Sequence, residues 1–464
     1  MSVALLDDLA GKVSPLLAEF LPRQRWFAGD EAPTRVEATV IERRAPEDPA
    51  DALLVWLLVD VVNPDGTDAT YQLVLGGRPV GDQHDFLHGK ARVTVGEVDD
   101  VLLYDALVDP ALALAVLQRV VPGEPARVAR PLLVEQSNTS VVYDERLILK
   151  LFRRVHPQPN PDVEVNRVLG ARGFPHVVPQ LEPLRRDGMD LAVVRQYMLG
   201  ATDAWDLAHT SLRDLLGTPT APEEAGGDFA PEATSLGDVT ARLHLALAEA
   251  FGREPASPAD WLAGFRVQLE RLASHPPAHP GAGGGPRIAP SDVVDVRGVA
   301  RAFDDLLATS DAGAALRVHG DLHLGQLLLA DAGWFVIDFE GEPARPVDER
   351  MKPSSPLRDV AGMVRSFQYA ARTALVERGR DIDEEIVAVA DAWEARAVEA
   401  FWQGYTRVEG IDTLLPAGDE DRRNLLRAFE LDKAVYEVIY EIGHRLDWVD
   451  VPASAIRRAL ALVA

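Results

Sequence analysis

Two carboxylates and an amide lie close together in the second half of this chain of 464 residues. Asp321 falls within His319-Gly-Asp-Leu-His-Leu-Gly-Gln326, and Asp338 follows in the run Ile337-Asp-Phe-Glu340. Hard oxygen donors of this kind suit magnesium. Phosphoryl transfer needs little else from a protein: a cradle and a cation for the phosphates, divalent metal, and a base beside the acceptor hydroxyl. In that scheme Asp321 takes the acceptor proton, Gln326 offers an amide oxygen to the metal, and Asp338, at the end of an apolar strand, bridges metal and phosphates. His319 joins Asp321 in the catalytic stretch as the donor that holds the loop. A zinc or two-metal site on His319, His323 and Asp321 is the competing reading, but such sites draw on further His or Asp clusters and the other histidines are scattered.

The phosphate side has its own candidates. Glu135-Gln-Ser-Asn-Thr-Ser140 reads as a polar turn whose residues Gln136, Ser137, Asn138, Thr139 and Ser140 could aim N–H groups and hydroxyls at phosphate oxygens. An ordinary Ser/Asn turn has the same composition. Lys150 closes the apolar run Leu147-Ile-Leu-Lys150, and strand alternation puts it on the face opposite Leu149 and Leu151. A lysine there either blunts an edge strand or reaches a nucleotide, with Glu164 on the next helix as its ion-pair partner. The order of Asp321, Gln326 and Asp338 is similar to the Asp-x-x-x-x-Asn loop and Asp-Phe-Gly aspartate of protein kinases, with Gln for Asn and Glu for Gly. No Walker A pattern is present, and the glycines at Gly281 to Gly285 sit among prolines with no strand before them.

These residues need positioning elements. Leu5, Leu6, Leu9, Val13, Leu16 and Leu17 predict an amphipathic helix ending near Pro22. From Val36 to Ala106 short β-branched runs alternate with turns such as Asn63-Pro-Asp-Gly66, predicting an antiparallel sheet. Ser140–Tyr143 and Arg146–Phe152 flank Asp144-Glu145 as a hairpin, and Asp162 to Gly170 reads as helix. After Tyr197 helical periodicity dominates, with Pro/Gly-rich surface stretches at 217–233 and 275–290. The expected division is a cap over residues 1–95, a nucleotide lobe over 96–200 and a helical lobe over 201–464.

Composition narrows the partners. With 47 Lys and Arg against 73 Asp and Glu, the formal charge is −26, which argues against nucleic acid or an anionic membrane as partner. Absence of cysteine excludes disulfides, thiolate metal sites and a cysteine nucleophile. The first residues lack the basic start and apolar run of a secretory signal, and no stretch is long and uncharged enough to span a bilayer, so a cytoplasmic protein is expected.

Taken together the motifs resemble the aminoglycoside-phosphotransferase-like group of small-molecule kinases, and more closely the actinobacterial maltokinases. The anchors are Leu21-Pro-Arg-Gln-Arg-Trp-Phe-Ala-Gly29, Glu135–Ser140, Asn160–Arg167, Arg317–Gln326, Ile337–Pro343, Ser355–Ala361 and Glu430–Glu437. The resemblance implies an α+β fold, bilobal and protein-kinase-like, with an N-terminal β-rich cap domain and a large helical C-lobe. It implies ATP and Mg2+ as cofactors and an alcohol phosphotransferase reaction, ATP plus maltose giving ADP and maltose 1-phosphate for α-glucan and glycogen synthesis. Trehalose synthase, as a supplier of maltose, becomes a partner.

Glu430, Lys433, Tyr436, Glu437 and Tyr440 fall at steps of three and four on one helix face. Rings that stack on sugar C–H surfaces beside groups that bind hydroxyls make this, with Asp321 and His323, the expected sugar site; a solvated face is the alternative. Arg358 and Asp359 read as a helix start with a structural role. The alternatives for the whole chain are a kinase of the same fold acting on glucosamine, another hexose or an aminoglycoside, and a silent kinase-like scaffold for a partner enzyme. The presence of Lys150, Asp321, Gln326 and Asp338 opposes the scaffold.

Overall fold

The computed structural model describes residues 8–29, 31–44, 52–81, 85–132, 137–218, 220–224, 227–277, 288–343, 345–379 and 382–463. The chain forms two compact units, Met1–Arg167 with Val178–Leu199, and Val168–Val177 with Gly200–Ala464.

In the first unit, α1 (Leu9–Phe20) buries Leu9, Val13 and Leu17, the every-fourth-residue stripe read from the sequence. Leu5 and Leu6 lie outside the described residues. Strands β1 (Arg35–Arg44), β2 (Leu53–Val62), β3 (Asp68–Pro79), β4 (Thr94–Val98) and β5 (Val101–Asp105) form an antiparallel sheet in the order β1-β2-β3-β5-β4. The division expected at residue 95 falls inside β4. Gly66 turns the β2–β3 connection at φ 82°, donating to the Asn63 carbonyl at 2.9 Å.

After α2 (Pro110–Val120) comes a second sheet built from β6 (Ala129–Leu132), β7 (Asn138–Tyr143) and β8 (Leu147–Phe152). The two-residue strand β9 (Arg154–Val155) returns to pair with β3, and α3 (Pro161–Ala171) follows. β10 (Leu184–Arg186) and β11 (Met189–Gln196) complete the order β10-β11-β8-β7-β6. Asp144 and Glu145 sit at φ 50° and 49°, the paired left-handed geometry that matches hairpin twist.

The sheets of this unit are joined by a buried amide. Gln72 on β3 is fully buried; its oxygen accepts from Trp56 Nε1 at 2.8 Å and its nitrogen donates to the carbonyls of Phe152 and Leu191. Beside it Arg153 lies 5.0 Å over the Trp26 ring, donates to Thr139 Oγ1 at 2.8 Å and pairs with Asp105. Trp26 of the N-terminal motif is thus a packing residue, whereas Arg23 and Arg25 are exposed.

The second unit opens with β12 (Thr202–Asp203), α4 (Ala204–Gly217) and α5 (Ala230–Phe251), where Leu236, Val239, Leu243 and Leu247 are buried as their stripe predicts. β13 (Arg253–Pro255), α6 (Pro258–Ser274), α7 (Pro290–Val293), α8 (Val296–Leu306) and β14 (Ala314–Leu316) follow. The Gly281–Gly285 cluster lies outside the described residues. β15 (Leu327–Ala330) and β16 (Gly333–Val336) pair as a hairpin against β12. The chain ends through α9 (Val347–Arg350), α10 (Leu357–Arg378), α11 (Glu384–Thr406), α12 (Asp419–His444) and α13 (Asp450–Val463). None of the described helices is long and apolar enough to cross a membrane.

α5 and α11 meet backbone to backbone. A Cβ at Gly237 would land on the Phe401 carbonyl oxygen, and one at Gly404 on the Thr234 carbonyl oxygen. Gly362 does the same for α10, whose surface there presses on the carbonyl of Leu322. Gly237→Ala should therefore shift chemical denaturation to lower denaturant by the equivalent of about 1–3 kcal/mol through overpacking, despite alanine's better helix propensity. A rise in stability would show that the two helices can separate without penalty.

Candidate active site

The segment from Leu316 to Phe339 carries most of the predicted chemistry, and a buried carboxylate holds it. Asp359 in the first turn of α10 accepts from the backbone N–H of His319 on Oδ2 and of Gly320 on Oδ1, both at 2.8 Å. Its Oδ2 also lies 3.0 Å from His244 Nε2 on α5, and His244 Nδ1 lies 2.8 Å from the Tyr405 hydroxyl on α11. Burial opposes ionisation of Asp359, but His244, with help from the nearby His319 and the Gly320 amide, overcomes it and holds the carboxyl below its ordinary range. Gly320, at φ 85°, makes the reversal that lets one carboxylate receive both amides.

His319 is spent on this scaffold. It is buried, its Nε2 donates to the Ile337 carbonyl at 2.9 Å, its Nδ1 accepts from Asp321 N at 3.4 Å, and its ring packs 5.0 Å from Phe339. Both ring nitrogens are thus engaged with the loop that carries Asp321, the contacts of the loop-holding donor expected for this member of the catalytic pair. The turn Leu324–Gln326 is fixed by Ser366 Oγ, which accepts from Leu324 N at 3.1 Å.

Asp321 itself meets a lysine from far along the chain. Lys433 Nζ on α12 donates to Asp321 Oδ1 at 2.8 Å and to Glu342 Oε1 at 2.9 Å, and lies 4.8 Å from the Tyr436 ring centroid. Burial works against the charge on Asp321, and Lys433 overcomes it, keeping the carboxylate ionised. Glu342 is likewise held far below its usual range, against burial, by Lys433, Arg345 and Arg358. Arg358 NH2 reaches Glu342 Oε2 at 3.1 Å, and Arg345 joins Glu342 to Asp432 Oδ2 at 2.8 Å. Farther along α12, Glu437 pairs with Arg365 at 2.9 Å, while burial pushes Glu430 up to about 7. Tyr440 lies beside Arg445 at 5.7 Å. Lys433, Glu437 and Tyr440 of the expected face each meet a charged neighbour, while Glu342, Arg345, Asp432 and Arg365 were missed because they come from other loops and faces.

Asp338 stands two residues beyond the end of β16, not at a strand terminus as expected, and adopts φ 65°. That left-handed reversal brings its Oδ2 to 3.3 Å from Gln326 Nε2, which donates to it. A carboxylate beside a carboxamide, whose oxygen end would also be needed, is a pair of side chains whose chemistry fits magnesium. His323 flanks them: its Nδ1 accepts from Gly325 N at 3.1 Å and its Nε2 is 3.3 Å from the Gln326 amide, so its polar atoms face the turn rather than α12.

In the first unit Lys150 projects from β8 between the buried Leu149 and Leu151, as alternation requires. Its Nζ lies 3.3 Å from Asp162 Oδ2, an atom that also accepts from Arg195 NH1 at 2.9 Å. Asp162, fully buried in the first turn of α3, is thus a carboxylate partner that sequence reasoning passed over; Glu164 is half-buried two residues on. The cradle is not a turn where it is described. Asn138, Thr139 and Ser140 are paired strand residues of β7, opposite Phe152, Leu151 and Lys150, and Ser137 precedes them, exposed. Gln136 lies outside the described residues.

Residues 20–109 match the maltokinase N-terminal cap domain, and residues 128–402 match the phosphotransferase enzyme family. A glucosamine kinase of Streptacidiphilus jiangxiensis is 33% identical over 360 residues, covering 73% of this chain and 75% of its own. One from Mycolicibacterium smegmatis is 30% identical over 340 residues, covering 72% and 80%. In fold, the chain is similar to a solved glucosamine kinase in complex with glucosamine, ADP and inorganic phosphate, with TM-score 0.65 and 24% identity over 97% of this chain and 98% of that one.

Asp359→Asn keeps the shape of the side chain but sets an amide N–H against a backbone N–H. The variant should lose about 1–3 kcal/mol of stability at pH 7. Because the folded carboxyl titrates below its unfolded value, the contribution of Asp359 is present above ordinary carboxylate pH and is lost as pH falls through the depressed folded value. The gap between wild type and variant in urea denaturation should therefore close only below about pH 4.

Proposed function

The chain belongs to the phosphotransferase enzyme family, and on that footing we propose that it is a sugar kinase that transfers the γ-phosphoryl group of ATP to maltose, giving maltose 1-phosphate. The observation that carries the choice of a neutral acceptor is the charge balance around Asp321. Asp321, Glu342, Asp432 and Glu437 each face a fixed cation from Lys433, Arg345, Arg358 or Arg365. An ammonium group on the acceptor would compete with those cations for the carboxylates. Hydroxyls, in contrast, can hydrogen-bond to groups whose charges are already balanced, and Tyr436 and Tyr440 on the same face offer ring surface for sugar C–H groups. The cap match supports the same reading. Glucosamine is the second reading, favoured by the activity named for the relatives.

In the proposed mechanism Asp321 receives the acceptor hydroxyl. Lys433 engages one of its oxygens, leaving the other to orient the nucleophile. A carboxylate held below its usual range is a weak base, which suits a loose transition state that releases the proton late and asks chiefly for alignment. Magnesium, when bound, neutralises phosphate charge, and Asp338 with Gln326 would hold it. Lys150, steadied by Asp162, would meet the nucleotide phosphates. A maltose-producing enzyme such as trehalose synthase is the supplier that this reading implies.

Product analysis by phosphorus NMR on a panel of maltose, glucose, glucosamine and an aminoglycoside tests the acceptor. Maltose should give an anomeric phosphate; phosphorylation of glucosamine with no turnover of maltose would overturn the proposal. Asp321→Asn should lower kcat by about 10²–10⁴-fold while calorimetric ATP affinity stays near wild type. Lys150→Met should instead weaken ATP binding and leave the KM for sugar nearly unchanged.

A further inference from the structure

We infer that His323 is a positioning residue for the metal site: it fixes which end of the Gln326 carboxamide faces Asp338. This rests on the phosphotransferase reading above. The starting point is the imidazole's own proton. Nδ1 accepts the backbone N–H of Gly325 at 3.1 Å, so that nitrogen is unprotonated and the ring hydrogen is on Nε2. Gly325 leaves room for the contact, since a Cβ there would stand 3.0 Å from His323 Cε1 and 3.2 Å from Nδ1. A side chain at residue 325 would press on the imidazole and make it shift by a few tenths of an ångström.

Nε2–H then points at the Gln326 amide, and one terminal atom of that amide lies 3.3 Å from both His323 Nε2 and Asp338 Oδ2. A carboxamide's two ends are nearly equal in size, so partners decide which faces where. With nitrogen at that point Asp338 gains a donor, but two sets of N–H hydrogens oppose each other at His323. With oxygen there His323 gains an acceptor, and two oxygens oppose each other at Asp338. A cation shared by those oxygens removes the second conflict and nothing removes the first. His323 therefore favours the amide orientation in which Gln326 and Asp338 both present oxygen to metal, and raises metal affinity without touching the metal. The same geometry takes His323 out of the sugar-contacting set expected from the sequence.

The test measures Mn2+ binding by electron paramagnetic resonance with a non-hydrolysable ATP analogue present. His323→Leu should weaken Mn2+ affinity about 10–100-fold. Gly325→Ala should weaken it in the same direction by displacing the imidazole. His323→Gln, which can again set an N–H against the amide oxygen, should recover most of the loss. A thermal denaturation midpoint near that of wild type accompanies each variant as the check on folding. Wild-type affinity in His323→Leu overturns the inference, as does a raised KM for sugar with metal affinity intact, which would return His323 to the acceptor site. Failure of the wild-type protein to bind Mn2+ with nucleotide overturns both this inference and the reading beneath it.

Discussion

The carboxylate of Asp359 is where the helices of the second unit become a site. Two backbone amides of a glycine-containing loop have no secondary-structure partners and are buried, so each would cost on the order of 1–3 kcal/mol if left unsatisfied. A single carboxylate satisfies both, and in doing so fixes the backbone that leads into Asp321. The carboxylate is itself steadied by His244, and His244 by Tyr405, so α5, α10 and α11 all bear on where that loop stands. Tyr405 O–H to His244 Nδ1, and His244 Nε2–H to Asp359, is an order of protons that leaves every atom of the chain matched. The close glycine contacts of α5 with α11, and of α10 with Leu322, serve the same end by removing the slack through which the loop could drift.

Above that scaffold sits a second layer, made of alternating charge. Asp321, Lys433, Glu342, Arg345 and Asp432 alternate in sign, so each group stabilises its neighbours' ionised forms against the cost of burial. Burial still wins in part: it raises Asp432 despite Arg345, and it pushes Glu430, where direct partners are fewer, up to about 7. The alternation matters in a chain of net charge −26, because the overall field disfavours one more carboxylate near phosphates. Local cations confine that field where the chemistry needs it weakest.

Features set by neighbours in sequence were legible, and features set by distant ones were not. Alternation in Leu147–Phe152 was enough to place Lys150 on its own face, and the stripe of α5 was enough to bury it correctly. The hairpin at Asp144-Glu145 followed from turn chemistry alone. Asp162, by contrast, stands two residues from Glu164 in the same helical turn region, and a helix start explains an acid at either position equally well. Lys433 was visible as part of a polar face, but its salt bridge to Asp321 spans 112 residues and depends on how α12 crosses the loop. Asp359 was read as a helix start with a structural role, and only the tertiary fold reveals that its structure-making acts on the catalytic loop. The β7 residues Asn138 to Ser140 misled for a different reason: polar strand residues that serve buried neighbours such as Arg153 have the composition of a turn.

Asp338 completes the case, because its backbone departs from what an L-residue prefers. At φ 65° it costs on the order of 1–3 kcal/mol relative to an extended conformation, though aspartate tolerates the left-handed region better than most residues. A glycine would have relieved the strain but carries no carboxylate. Continuing β16 in register would have aimed residue 338 along the strand's alternation, on the side opposite its Ile337 neighbour, with its direction fixed by the hairpin rather than by Gln326. The reversal uncouples it from that alternation and turns the carboxylate toward the amide, while Ile337 keeps its backbone N–H on the Gln326 carbonyl at 3.0 Å and its own carbonyl on His319. One strained residue thus sits between two loop segments that are each anchored by hydrogen bonds to the other. The anchoring is what allows the strain to persist, and the direction in which it persists is the one that brings two hard oxygen-bearing side chains to a single point.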